Sequence, residues 1–281
     1  MKKVTLNTLR KKKREGVPVS FITAYDYPSA TFVNRAGIDM ILVGDSGGMA
    51  MLGYKNTLAV TMDEMLQFAK SVNRVQGSAF VVGDMPYMSY QVSNEEAVRN
   101  AGRFMSEAGC DAVKLEGGVR MCERVHAIVD AGIPVMGHLG MTPQSMAVQS
   151  GYTVQGKKLE GFKVVLEDAI ALKNAGASFI LLEAMPEGAG ELIRDALDIP
   201  IYGIGAGSKL DGQLLIFHDL MGTFVGDIEP KFAKKYLEGA KLMTEALSDY
   251  HKEVVTGVFP GPSHVYKTKP EDLEEMRELM K

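Results

Sequence analysis

The sequence predicts a closed (β/α)₈ barrel, also called a TIM barrel, on three observations. Helix-like stretches repeatedly end in Ala-Gly and lead straight into a short apolar run, as at Ala36-Gly37, Ala108-Gly109 and Ala175-Gly176. Eight such runs are continuously apolar rather than alternating, which is typical of a parallel sheet covered by helices. The runs fit within about 250 residues, the usual length of this barrel. An open, doubly wound sheet is the alternative.

The predicted elements alternate along the chain as strand and helix. Because glycine adopts the left-handed conformation easily, each Ala-Gly pair marks a helix end that leads into a strand. The predicted strands begin near residues 19, 39, 79, 111, 133, 178, 199 and 213. Length and apolar periodicity predict helices at 61–76, 94–108, 119–131 and 159–175.

The chain is predicted to form a single domain, residues 1–281, because no low-complexity linker divides it. Its tail, residues 231–281, is predicted to be helical. A helix there is expected to end at Tyr250, followed by a Pro- and Gly-containing segment at 259–262 and a charged final helix from Pro270.

Composition excludes several classes of protein. The 281 residues are 46% hydrophobic, enough for a sizeable core and too much for disorder. A net charge of −4 attracts neither nucleic acid nor an anionic membrane, so neither is expected as a partner, and the basic run 10–14 is interpreted as a solvated helix face. Two cysteines, no secretory signal and no apolar run of about 18 residues predict a cytoplasmic protein.

Charged residues stand at or near the ends of several predicted strands. Since the carboxyl ends of barrel strands share one mouth, we expect these side chains to converge there. Strands two, three, four and six end in a carboxylate, strand four also carries a lysine, and strand five ends in a histidine. These residues are Asp45, Asp84, Glu116, Glu183, Lys114 and His138.

Several carboxylates at one apolar mouth need a cation or protons to coexist. Oxygen ligands of this kind suit Mg²⁺, so the sequence predicts a divalent metal there. For each acid taken alone, the alternative is a helix N-cap. Gly44, Gly47, Gly48, Gly117 and Gly118 would allow a ligand to approach the backbone closely, or would simply form tight turns.

Two glycine-containing segments resemble phosphate sites only in part. Residues 151–157 have the length of a P-loop, but Lys158 stands where Ser or Thr should be, so a loop over the barrel mouth is the preferred interpretation. Residues 203–207 follow the seventh strand, where barrels often hold phosphate; a weak anion site and a plain turn both stay open.

The strand ends together resemble those of the ketopantoate hydroxymethyltransferase family, over roughly residues 4–266. The motifs are Val43-Gly44-Asp45-Ser46, Val82-Gly83-Asp84-Met85-Pro86, Val113-Lys114-Leu115-Glu116-Gly117, Gly137-His138-Leu139-Gly140-Met141-Thr142-Pro143-Gln144, Leu182-Glu183-Ala184-Met185-Pro186 and Gly203-Ile204-Gly205-Ala206-Gly207. The resemblance implies a Mg²⁺-dependent (β/α)₈ transferase of pantothenate and coenzyme A biosynthesis. Such an enzyme converts 3-methyl-2-oxobutanoate and 5,10-methylenetetrahydrofolate to 2-dehydropantoate and tetrahydrofolate through a Mg²⁺-stabilised enolate, and the family assembles as a homodecamer.

The resemblance also implies a role for each matching residue. Asp45 and Asp84 would bind the metal and contact substrate, and Glu116 would complete the metal site directly or through water. Ser46 and Lys114 would contact substrate, as would His138, whose role is less defined. Glu183 would be the catalytic proton acceptor.

The chain departs from the common family pattern at Gly47, in the loop 49–58 and at 262–266. These changes affect the predicted mouth and folate contacts rather than the acids. Two other functions stay open. One is a folate-independent lyase or mutase of C–C or P–C bonds, of the phosphoenolpyruvate and isocitrate lyase type; the other is a non-catalytic barrel that binds a keto acid.

Overall fold

The computed structural model describes residues 2–148, 153–226 and 230–281. Within these residues, eight parallel strands form a closed barrel in chain order, and the first pairs with the last. The strands are β1 (Val19–Thr23), β2 (Met40–Val43), β3 (Phe80–Asp84), β4 (Ala112–Glu116), β5 (Val135–Gly140), β6 (Phe179–Glu183), β7 (Ile201–Ile204) and β8 (Gly212–Leu215). The predicted fold class is confirmed, and every strand begins within two residues of its predicted start.

Helices connect the strands, and several of them cover the outside of the barrel. The helices before Leu237 are α1 (Leu6–Glu15), α2 (Tyr27–Arg35), α3 (Gly47–Leu52), α4 (Met62–Asn73), α5 (Asn94–Ser106), α6 (Cys122–Asp130), α7 (Leu159–Asn174), α8 (Glu187–Ala196) and α9 (Phe217–Leu220). Those after it are α10 (Gly239–Val255) and α11 (Pro270–Glu278). The helix predicted at 119–131 begins later, because Val119–Met121 forms a separate 3₁₀ turn. In the parts of the chain that the structure describes, no helix has the length and apolar character needed to span a membrane.

The chain divides into two compact units, one ending at Tyr236 and the other running from Leu237 to Lys281. The first contains the barrel, and the second contains α10 and α11. The prediction that the tail helix ends at Tyr250 is wrong, since α10 continues to Val255. The left-handed residue that follows it is Gly257, so the turn comes later than expected. The final helix begins at Pro270 as predicted, and a single domain over 1–281 stays a prediction.

Strand side chains alternate between two buried layers. Outward residues such as Val81, Val113 and Ile180 pack with the surrounding helices. Inward residues such as Phe80 and Phe179 fill the barrel interior, together with others from each strand and with the helix α1. The alternation follows from the period of two in a strand, and it decides which polar residues reach the interior.

Helix α1 lies against the amino ends of the strands. The prediction of a solvated basic face at 10–14 is wrong for two of its residues. The Lys12 ammonium lies 2.6 Å from Asp39 Oδ1, and the Lys13 ammonium lies 2.8 Å from Asp211 Oδ2. Both lysines are half-buried, because the helix turns them toward acids that precede β2 and β8.

Candidate active site

Strand alternation places a group of polar side chains at the carboxyl end of the barrel interior. On β4, Ala112 belongs to the interior layer, so Lys114 and Glu116 face the same way two and four residues later. The same rule applies on β3, β5 and β6, where interior residues alternate with outward ones. The residues turned inward in this way are Asp84, Lys114, Glu116, His138 and Glu183.

Lys114 lies at the centre of this group. Its Nζ is 2.8 Å from Asp84 Oδ1, 3.2 Å from His138 Nδ1 and 3.6 Å from Glu116 Oε1. All four side chains are almost fully buried. One ammonium group therefore contacts two carboxylates and an imidazole in a region that excludes most water.

Asp45 joins the group from the end of β2. Its backbone N–H donates to Asp84 Oδ2 at 3.0 Å, and its own Oδ2 accepts a hydrogen bond from Gln144 Nε2 at 2.9 Å. Asp45 is also buried. The structure therefore brings Asp45, Asp84 and Glu116 together around Lys114, as the sequence predicts.

Burial and mutual repulsion disfavour the charged forms of these acids. Burial raises the pKa of Asp84, and the Asp45 and Glu116 carboxylates raise it further, against the opposing effect of Lys114. Burial likewise raises the pKa of Asp45 and of Glu116. Burial alone would lower the pKa of Lys114, but the three carboxylates outweigh it and raise that pKa. Lys114 therefore stays positively charged. Its one charge is shared by three carboxylates, so their pKa values remain raised.

His138 links this buried group to Glu183. Its Nδ1 lies 3.2 Å from Glu116 Oε1, and its Nε2 lies 3.1 Å from Glu183 Oε2. Burial, and then the nearby Lys114 charge, lower the pKa of His138 below its ordinary value. A neutral imidazole therefore stands between the buried carboxylates and Glu183 at neutral pH.

Glu183, the last residue of β6, is the acid of this group with access to the mouth. Its side chain is 13% exposed, against 2% for Asp84. Its backbone is held closely: the Glu183 carbonyl accepts from Met141 N–H at 2.9 Å, and a Cβ on Gly140 would lie 2.3 Å from the same oxygen. Ala184 has a φ of 48°, which strains the backbone just beyond the acid.

Ser46 lies beside Asp45 at the start of α3. Its Oγ is 2.9 Å from the hydroxyl of Tyr25, and it does not cap the helix. The Tyr25 ring is buried and contacts Phe68 edge-on at 6.1 Å between centroids. Gly47 makes this packing feasible, because a Cβ there would lie 2.7 Å from Tyr25 Cδ1. Ser46 is partly exposed and is the hydroxyl next to the buried acids.

The N-cap alternative does not hold for the four acids. The helices and turns that follow their strands have Ser46, Ser93, Gly118 and Pro186 at the cap position. The four acids are therefore free of a capping role.

Among the described residues, no group of three or more His, Cys, Asp or Glu side chains is arranged to hold a metal ion by itself. Asp84 Oδ1 has the Lys114 ammonium at 2.8 Å, and Glu116 Oε1 has His138 Nδ1 at 3.2 Å and Lys114 Nζ at 3.6 Å; no other donor of the described residues reaches either buried oxygen. Mg²⁺ is commonly held by one or two carboxylates, with water and substrate completing its shell. The donor set therefore fits Mg²⁺ bound partly by substrate rather than a cage made only of protein.

The two glycine-containing segments have different outcomes. Part of 151–157 lies outside the described residues, so the loop over the mouth stays a prediction. After 203–207, the Ser208 N–H donates to Glu187 Oε1 at 2.9 Å, and the Ser208 hydroxyl donates to the same oxygen at 2.6 Å. A carboxylate of the chain itself takes these donors, which favours the plain turn over an anion site.

Sequence reasoning did not single out Gln144 or Tyr90, both of which touch the buried acids. Gln144 donates to Asp45 and to Glu116, and Tyr90 accepts from the Glu116 backbone N–H at 3.0 Å. Both are polar residues in loops that follow predicted strands, and this position could have identified them. The acids were identified by their charge, whereas Gln144 and Tyr90 have neutral side chains.

Two solved structures illustrate the proteins that share this fold. A phosphonopyruvate hydrolase in complex with oxalate and Mg²⁺ has a TM-score of 0.61 at 12% identity, covering 98% of this chain and 96% of that one. A 2,3-dimethylmalate lyase of the PEP mutase/isocitrate lyase superfamily has a TM-score of 0.57 at 16% identity, covering 98% and 96%. At these identities the likeness concerns the fold.

Sequence relatives are much more similar. A 3-methyl-2-oxobutanoate hydroxymethyltransferase from Syntrophomonas wolfei subsp. wolfei is 50% identical over 276 residues, covering 98% of this chain and all of that protein. Another from Heliobacterium modesticaldum is 49% identical, covering 94% of this chain and 96% of that protein. The family model for ketopantoate hydroxymethyltransferase matches residues 3–262. The chain therefore belongs to the ketopantoate hydroxymethyltransferase family.

Proposed function

We propose that this protein makes 2-dehydropantoate and tetrahydrofolate from 3-methyl-2-oxobutanoate and 5,10-methylenetetrahydrofolate. The observation that carries the proposal is the partly exposed Glu183 beside a buried group of three carboxylates and one lysine, in a chain of this family. The relatives are named for hydroxymethyl transfer to 3-methyl-2-oxobutanoate. Folate as donor is our inference from the family resemblance.

Asp45 and Asp84 would hold Mg²⁺, and Glu116 would complete the site directly or through water. The buried Asp84 Oδ1 and Glu116 Oε1 support this assignment, because they are hard oxygens that share the positive charge of one lysine. Bound there, Mg²⁺ supplies Lewis-acid stabilisation of negative charge on oxygen, worth several kcal/mol. The three acids then gain the second positive charge that Lys114 alone does not provide.

The 2-oxo acid would bind with its carboxylate and keto group toward Lys114 and Ser46. The Lys114 ammonium has three donors, and it contacts only Asp84 within 3 Å. Its remaining donors offset the negative charge of the substrate. The Ser46 hydroxyl, oriented by Tyr25, adds a neutral hydrogen bond on the β2 side of the site.

Glu183 would remove the proton from C3 of the substrate. The electron pair of that C–H bond becomes the enolate, whose C3 forms the new bond to the methylene carbon of the folate. Water first supplies its oxygen to that methylene carbon while the two bonds to the folate nitrogens break, and the two water protons go to those nitrogens. The enolate then attacks this carbon, and Glu183 gives the C3 proton to the oxygen, which becomes the new hydroxyl group. Neutral His138, 3.1 Å from Glu183 Oε2, orients the base before and after proton transfer.

The test is exchange of the C3 proton of 3-methyl-2-oxobutanoate in heavy water, followed by NMR with Mg²⁺ present and folate absent. We expect the protein to catalyse exchange and Glu183→Gln to reduce it by about 10²- to 10⁴-fold, the usual contribution of a general base. Adding 5,10-methylenetetrahydrofolate should then yield 2-dehydropantoate.

Glu187→Gln is the matched control, because Glu187 lies four residues later and contacts Ser208 outside the acid group. It should exchange at the parent rate. Normal exchange by Glu183→Gln would remove Glu183 from the role of base. Exchange without any effect of the folate would favour the lyase or mutase alternative, and binding of the keto acid without exchange would favour the non-catalytic one.

Assembly follows from the resemblance alone and stays a prediction. A homodecamer would have ten times the 30.5 kDa subunit mass, which light scattering after size exclusion measures directly. A monomer or dimer would contradict it. Cytoplasmic location is expected from the composition.

A further inference from the structure

We propose that Gln144 is a positioning residue for the candidate metal site and that Tyr90 holds the oxygen of its side-chain amide. The inference rests on the proposed function, since it assigns a partner to two of the carboxylates given to Mg²⁺ there. Gln144 is 5% exposed and lies in the 3₁₀ turn Pro143–Ser145 that follows β5.

Gln144 holds two of the buried acids at once. Its backbone N–H donates to Glu116 Oε2 at 2.9 Å, and its Nε2 donates to Asp45 Oδ2 at 2.9 Å. The second Nε2 proton reaches the Met85 carbonyl at 3.0 Å. Gln144 thus donates a hydrogen bond to one oxygen of each carboxylate and leaves the other oxygen of each available for a further ligand.

Tyr90 holds the oxygen of the Gln144 amide, while Asp45 and the Met85 carbonyl hold its NH₂ group. The Tyr90 hydroxyl accepts from the Glu116 N–H at 3.0 Å and lies 2.7 Å from Gln144 Oε1, to which it donates. A flipped amide would turn its NH₂ toward Tyr90 and its oxygen toward Asp45 Oδ2 and the Met85 carbonyl. Two acceptor-to-acceptor contacts would result, so the observed direction is strongly favoured.

This arrangement ties together loops that are distant in sequence. Asp45, Met85 and Gln144 follow β2, β3 and β5, and Glu116 is the last residue of β4, so the four lie at the ends of four neighbouring strands. Asp45 and Gln144 are 99 residues apart in the chain. Hydrogen bonds of a buried amide to carboxylates are short and directional, so small changes at Gln144 would misalign both acids together.

Gln144→Met tests the proposal, because methionine has a similar size and no amide. Tyr90→Phe is the second variant, since it keeps the ring and removes only the hydroxyl. Gln91→Met is the matched control: the same change is made one loop away, where Gln91 Nε2 reaches Gln144 Oε1 only at 3.4 Å and contacts no acid of the site.

The readout is binding of Mn²⁺, as a probe for Mg²⁺, to the full-length protein without substrate, followed by the electron paramagnetic resonance signal of free Mn²⁺. We expect Gln144→Met to raise the Kd by about 10- to 100-fold, the usual effect of losing a group that orients metal ligands. Tyr90→Phe should raise the Kd in the same direction by less, and Gln91→Met should leave it within about twofold. Each titration is made well below the thermal unfolding temperature of the variant.

Parent-like Kd values for both Gln144→Met and Tyr90→Phe would overturn the proposal. If Gln144→Met does not fold, Tyr90→Phe decides alone. A parent that binds Mn²⁺ and exchanges the C3 proton, with variants that bind equally well, would refute only the role of Gln144. A parent that binds no Mn²⁺ would refute the metal assignment and this inference together.

Discussion

Lysines and carboxylates meet at both ends of the barrel, and the two ends differ in the balance of charge. At the amino end, each lysine has its own aspartate: Lys12 with Asp39, Lys13 with Asp211, and Lys3 with Asp111 at 2.7 Å. Each of these aspartates also accepts a backbone N–H from Ser20, Ile201 or Val81. The charges there are paired one to one.

At the carboxyl end, Lys114 alone faces Asp45, Asp84 and Glu116. The consequence is seen in the acids: Lys12 and Ser20 overcome burial and hold the pKa of Asp39 below its ordinary value, whereas the pKa of Asp84 is raised. The paired charges at the amino end stabilise the fold. The unbalanced carboxylates at the carboxyl end lower the stability of the fold and are available to bind a ligand.

The largest expected effect is loss of Lys114, the buried cation at the carboxyl end. Lys114→Met should lower the free energy of unfolding at pH 7 by about 3–5 kcal/mol, because it leaves buried carboxylates without a counter-charge. Lys13→Met at the amino end should cost less, since Asp211 keeps its bond from the Ile201 N–H. Urea denaturation of both variants measures the difference, and equal losses would show that the two ends are alike.

Removing a paired acid at the amino end should be the next largest effect. Asp39→Asn should lower the free energy of unfolding by about 1.5–3 kcal/mol, the usual value for hydrogen bonds to a charged group. C3 exchange should persist, because Asp39 precedes β2 at the opposite end from the acids. Asp198→Asn, whose side chain is 76% exposed, is the control and should change stability by less than about 0.5 kcal/mol.

Removing an acid at the carboxyl end should have the opposite sign. In folded protein the pKa of Asp84 is raised, so at pH 7 its ionised form opposes folding. Without divalent cations, Asp84→Asn should raise the free energy of unfolding by about 0.5–2 kcal/mol. With Mg²⁺ present, the same variant should lose C3 exchange. A variant that is both less stable and still active would contradict the contrast between the two ends.

The smallest expected effect is a pH dependence at the amino end. Because the pKa of Asp39 is lowered on folding, its stabilisation is present above the unfolded value of about 3.9 and is lost as pH falls through the folded value. The difference in unfolding free energy between the parent and Asp39→Asn should therefore shrink below about pH 4, by on the order of 1 kcal/mol. Urea midpoints measured from pH 3 to pH 7 test this, and a constant difference would contradict it.

Local patterns predicted the strands well, since continuous apolar runs and Ala-Gly helix ends depend on neighbouring residues. They predicted less well where the partner lies far along the chain. Lys12 and Lys13 look like part of a solvated face until Asp39 and Asp211 are brought against them. Asp26 and Asp45 both follow a strand, yet Asp26 caps α2 and Asp45 does not cap α3.

The sequence by itself determined the barrel and the position of each acid at a strand end, because alternation and turn chemistry act over a few residues. Only the tertiary structure decided which carboxylate oxygens accept hydrogen bonds from Gln144 and which stay available for another ligand. Lys114 meets His138 across the paired strands β4 and β5, and Asp45 after β2 meets Gln144 after β5 because the barrel closes around one mouth. Burial by the whole barrel then left three carboxylates to share the positive charge of one lysine.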